Sequence, residues 1–140
     1  MRNSFVYFCL AMKIIYVHTE PWISNSPGVT FITYNAIGIA QNHIDTHLVV
    51  INNSDEETDV LLQHVFDTAC PPNLFIHRLN VSSHWKFYRQ AISLIARLLD
   101  ENTTIVTRAI SFLPHLLWFR RIHRCKILYE SHDFYWDLRQ

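Results

Sequence analysis

Short β-branched runs alternate with longer segments of helical periodicity along almost the whole chain, and that alternation leaves few architectures open. Residues 13–18, KIIYVH, form the first apolar run, as a strand buried on both faces requires. A loop rich in turn formers follows, and a helix over about 30–43 places Val29, Ile32, Ala36, Ile39 and Ala40 on one stripe. Gly38 inside it costs up to about 1 kcal/mol relative to alanine. Its presence there is read as close packing of this helix on the sheet.

HLVVI at 47–51 reads as the second strand, 74–79 as the third, 104–107 as the fourth and 126–130 as the fifth. An acidic, solvated and mobile turn, NNSDEETD, follows the second strand and leads to a short helix over 60–67, which Cys70-Pro71-Pro72 stops. Ser82 or Ser83 caps a helix over 84–100 with Trp85, Tyr88, Ile92, Ile95, Ala96 and Leu99 on its apolar face. Ser111 caps the last complete helix, whose first turn tolerates Pro114. The order β-α-β-α-β-α-β-α-β predicts right-handed crossovers and a Rossmann-like three-layer α/β/α domain with a parallel sheet of order 3-2-1-4-5. Its ligand edge lies at the carboxyl ends of the strands, at the switch between the first and fourth.

At 140 residues the chain has the size of one domain. Its 12 basic and 12 acidic residues balance, so no global field draws it towards nucleic acid or an anionic membrane. The nine histidines are scattered, and no HxH or HExxH pair sets up a metal site. Cys9, Cys70 and Cys125 form no disulfide framework and suit a reducing, cytoplasmic compartment, which makes the sequons at Asn52, Asn80 and Asn102 coincidental. Residues 1–11 read as an extension before the domain at 12–140, because their apolar run is too short to span a bilayer. No GxGxxG, GxxxxGK[ST] or GxSxG motif is present, which sets aside the usual dinucleotide, P-loop and serine-hydrolase sites.

Three loops share the expected ligand edge. The first strand leads into His18, Glu20, Trp22, Ser24, Ser26 and Gly28, the fourth into Arg108 and Ser111, and the fifth into Glu130, His132 and Asp133. Such an edge suits a polar or phosphorylated ligand. Each residue has a plainer reading: Asp133 as a helix cap, His132 as a structural histidine, Glu130 as a partner of Arg108, and Gly28 as a turn residue after Pro27.

The segments MKIIYVHTEPW, SPGVTFITYNAIGIA, TIVTRA and KILYESHDF together resemble the N-terminal domain of retaining glycosyltransferases of the two-domain GT-B fold, family 4, over about residues 12–140. The resemblance implies an acceptor-binding half-enzyme, inactive without a C-terminal donor-binding domain or partner chain. It implies a nucleotide-sugar donor as substrate, a glycan or lipid-linked acceptor, and no metal, separate cofactor or nucleic acid. By match, His132 is the catalytic cleft histidine, supported by Glu130 and Asp133. Gly28 approaches the donor phosphates, Arg108 lies on the acceptor side, and His18 and Glu20 share the binding edge. Many members carry a glycine pair in the first loop and histidine after the fourth strand, where this chain has Gly28 alone and Arg108.

The helix over 112–124 joins Leu116, Leu117, Trp118 and Phe119 to Arg120, Arg121, His123 and Arg124. It reads first as a core helix with cations suited to its C-terminal dipole, and second as a peripheral contact with an anionic membrane. The alternatives to a sugar transferase are a non-catalytic interaction domain paired with a separate donor-binding chain, and a nucleotide-sugar epimerase half.

Overall fold

The computed structural model describes residues 12–131. The extension at 1–11 and the predicted site residues His132 and Asp133 lie outside the described residues.

Five strands and four helices follow one another in strict alternation. They are β1 (Lys13–Pro21), α1 (Pro27–Gln41), β2 (Asp45–Ile51), α2 (Thr58–Phe66), β3 (Leu74–Leu79), α3 (His84–Leu98), β4 (Thr103–Thr107), α4 (Leu113–His123) and β5 (Lys126–Tyr129). The strands form one parallel sheet of order β3-β2-β1-β4-β5, as the alternation predicts. β1 is the central strand: Ile15 stands between His47 of β2 and Ile105 of β4. It runs three residues further than its apolar run suggests, through a register shift between Val17 and Pro21.

Alternation along the strands splits the core into two layers. Ile14 and Tyr16 face α1 and α2, with Val29, Ile32, Ala36, Leu62 and Phe66. Ile15 and Val17 face α3 and α4, with Phe87, Ala91, Ile95, Leu116 and Phe119. The two helices before β3 therefore lie on one side of the sheet, and the two after it on the other.

Several local expectations change in detail. Pro27 starts α1 three residues early, where its missing N–H costs nothing. Gly38 is not a close-packing glycine, because an added Cβ would meet nothing within 4 Å. The acidic turn after β2 is tied down by Arg78, which donates to the backbone oxygens of Ser54 and Glu56. Ser83 does cap α3, accepting from the Lys86 amide at 3.3 Å. The buried stripe of α3, however, is Phe87, Ala91, Leu94 and Ile95, while Trp85 is 63% exposed and Ala96 is exposed. The apolar arc of α3 is wide, and the sheet takes only one flank of it. Ser111 does not cap α4; its hydroxyl accepts from Tyr88 at 3.0 Å, and Phe112 occupies the cap position.

Candidate functional site

The carboxyl ends of β1 and β4 open beside the first turns of α1, and the groups gathered there are incompletely paired. Thr107 ends β4 and anchors the turn: its hydroxyl donates to the Val17 carbonyl at 3.1 Å and accepts from the Ala109 amide at 3.1 Å. That turn directs Arg108 back over the sheet, and its side chain is 4% exposed. The guanidinium carbon stands 4.3 Å from the centre of the Phe31 ring of α1. Nε lies 3.9 Å from Glu130 Oε2, an ion-pair distance too long for a hydrogen bond. Nε and Nη1 are buried and have no hydrogen-bond partner among the described residues.

His18 ends the buried part of β1. Its Nε2 stands 3.3 Å from Glu20 Oε2, while Nδ1 is buried without a partner among the described residues. Burial pushes its pKa down, and the Arg108 charge adds to that fall against the opposing pull of Glu20. The imidazole is therefore neutral at physiological pH. Glu20 is held below the ordinary carboxylate range by the Ser26 hydroxyl first and by His18 second. A Cβ at Gly28 would lie 3.5 Å from Ser26 Oγ and 3.9 Å from His18 Cε1, so Gly28 sits beside both. Its φ is not positive, and it belongs to the first turn of α1 rather than to a loop.

Glu130 continues the sheet beyond β5, its amide donating to the Thr107 carbonyl at 3.0 Å. Its carboxylate accepts the hydroxyl proton of Tyr16, which reaches across from β1. Burial and the adjacent carboxylate push the Tyr16 phenol above its ordinary range. Periodicity alone makes Tyr16 a core residue. The available signal was chemical: a tyrosine inside a buried strand needs a partner for its hydroxyl.

The structure thus brings Arg108, His18, Glu20, Gly28 and Glu130 to one edge and adds Tyr16 and Phe31. Trp22 is not part of it; it is a core residue whose indole N–H donates to Thr33 Oγ1 at 3.2 Å. A second arginine at the same edge gives the contrast. Arg78 donates to Asn52 Oδ1 at 2.9 Å, Glu56 O at 2.7 Å, Thr58 Oγ1 at 3.3 Å and Ser54 O at 2.5 Å. Its hydrogen-bonding capacity is consumed by the fold, whereas that of Arg108 is not.

The sequence reading also missed a histidine pair, because it joins neighbouring strands. His47 Nδ1 and His77 Nε2 are 2.9 Å apart with stacked rings. Among the described residues no group of three histidine, cysteine, aspartate or glutamate side chains is placed to hold a metal ion. No helix among them is long and apolar enough to cross a membrane.

No protein-family model and no curated protein matches this chain. Among solved structures, the chain is similar to the C-terminal domain of a hydrogenase from Pyrococcus furiosus. The two are 7% identical, the match covers 85% of this chain and 91% of that one, and the TM-score is 0.57. At that identity the likeness shows the fold alone. The neighbour is a hydrogenase domain and not a glycosyltransferase, which overturns the resemblance to glycosyltransferase family 4. The segments that carried the resemblance are an opening strand, a loop entering a helix and two later strands, and a parallel α/β domain of this topology has those parts whatever its chemistry.

Proposed function

We propose that this chain is a ligand-binding α/β domain whose carboxyl edge holds a small anionic molecule, a phosphate ester or diphosphate, against Arg108. The observation that carries the proposal is the buried guanidinium of Arg108, with two nitrogens lacking hydrogen-bond partners among the described residues. Glu130 lies at ion-pair distance but accepts no hydrogen bond from it; each buried N–H left without an acceptor costs about 1–3 kcal/mol, and an anion that accepts from both nitrogens offsets that cost. The unpartnered Nδ1 of His18 and the N-terminal turn of α1 lie at the same edge, and each favours an anionic or hydrogen-bonding ligand.

Calorimetric titration of the chain with inorganic phosphate, pyrophosphate, nucleoside diphosphates and nucleotide sugars tests this reading. Heat of binding from at least one of them, abolished in Arg108→Gln, is expected. A folded wild-type chain silent to the whole panel overturns it. Nucleotide sugars carry such a diphosphate, so the sugar-transfer expectation becomes one arm of this titration.

A further inference from the structure

The balanced net charge conceals an uneven distribution along the chain. Residues 14–77 contain seven carboxylates and no lysine or arginine, whereas residues 78–129 contain nine lysines and arginines and two carboxylates. The topology turns part of this split into a difference between the two faces of the sheet: α3 and α4 carry Lys86, Arg89, Arg97, Arg120 and Arg121, whereas α1 carries no lysine, arginine or carboxylate and α2 only Asp59. α1, α2 and the acidic turn between β2 and α2 belong to the first segment; α3 and α4, on the opposite face, belong to the second.

The basic face also exposes large apolar side chains. Trp85 of α3 and Trp118 of α4 are each 63% exposed. They border a groove of about 270 Å³ between the two helices, floored by Tyr88, Ile92 and His115. Leu117 and Ile122 of α4 are exposed as well, as are Arg120, Arg121 and the residue that ends the helix, Arg124.

We propose that the α3–α4 face docks on an anionic membrane surface. Arginines pair with lipid phosphates while tryptophans and aliphatic side chains settle at the boundary between headgroups and acyl chains. Neither α1 nor α2 on the opposite face carries a lysine or arginine to pair with lipid phosphates, so the domain has one preferred orientation. The aliphatic Leu117 and Ile122 favour lipid over nucleic acid, whose backbone gives them nothing to bury against. Self-association through this face brings cations against cations.

Co-sedimentation of the chain with phosphatidylcholine vesicles, with and without phosphatidylserine, tests the proposal. Binding only in the presence of phosphatidylserine is expected, with a blue shift in tryptophan emission and release by salt. The double variant Arg120→Glu/Arg121→Glu, shown to be folded by circular dichroism, should weaken the partition at least about tenfold. Trp118→Phe should reduce the blue shift. Three results each overturn it: no sedimentation with anionic vesicles, binding indifferent to the charge reversals, or tighter binding to oligonucleotides than to vesicles. A dimer in light scattering that Trp118→Ala dissolves also overturns it, by assigning the face to a second copy.

Discussion

Tyr16 of β1 donates its hydroxyl proton to the carboxylate of Glu130, 114 residues away and on the far side of β4. The bond crosses the switch point, where the chain order of the sheet reverses, and it holds the end of β5 to the centre. The same oxygen, Glu130 Oε2, stands 3.9 Å from Arg108 Nε.

Tyr16→Phe removes the donor and leaves the Glu130 carboxylate short of a partner. A loss of about 1–2 kcal/mol in unfolding free energy is expected from urea titration. The raised phenol has a second consequence. Above about pH 10 the unfolded chain releases a proton that folded Tyr16 retains, so stability falls as pH rises from there. Tyr16→Phe should flatten that alkaline slope.

The two arginines of the carboxyl edge should respond oppositely. Arg78→Met breaks the hydrogen bonds to Asn52, Ser54, Glu56 and Thr58 and frees the acidic turn. It should cost about 2–4 kcal/mol. Arg108→Met replaces a buried cation whose Nε and Nη1 make no hydrogen bond among the described residues by an apolar side chain of similar reach; Glu130, 33% exposed and still bonded to Tyr16, tolerates the loss, so the change should be neutral or stabilising by about 1 kcal/mol. Paired denaturation curves of the ligand-free variants decide this; a large loss for Arg108→Met would mark it as structural and remove the support for an anion site.

His47 gives the acid side. Burial, with the His77 and Lys13 charges, pulls its pKa down to about 4. Below about pH 6.5 the unfolded chain binds a proton that folded His47 refuses until near pH 4. Stability therefore declines as pH falls through that window. The decline should be shallower in His47→Gln by of order 1 kcal/mol between its ends, read from urea midpoints at stepped pH.

Gly38→Ala should stabilise the chain by about 0.5–1 kcal/mol, because a methyl there meets open space and the helix loses a flexible residue. Thermal unfolding measures it. A destabilised variant would show that Gly38 meets a neighbour beyond the described residues.

The order of elements and the sheet topology were legible in the sequence because both rest on local patterns. An apolar run of five or six residues specifies a buried strand, a stripe at helical spacing specifies a covering helix, and crossover handedness leaves little choice in how they assemble. KIIYVH and HLVVI announced β1 and β2, and LFIHRL gave β3 its observed limits. The carboxyl edge was legible for the same reason, since topology alone brings His18, Glu20, Gly28, Arg108 and Glu130 together.

What those residues do there was decided by tertiary packing. Nothing local separates Arg78, satisfied by the turn it organises, from Arg108, buried over Phe31 with nitrogens to spare. The partners of Tyr16 and His47 come from other strands, at separations of 114 and 30 residues, where no sequence period reaches. The wide apolar arc of α3 could turn either flank to the sheet, and the space beside α4 settled which one left Trp85 exposed. Charge shows the division most plainly: the sequence determined that residues 14–77 hold no lysine or arginine and that residues 78–129 hold nine, but only the winding of the chain about one sheet set the cations of α3 and α4 together on one face of a molecule with no net charge.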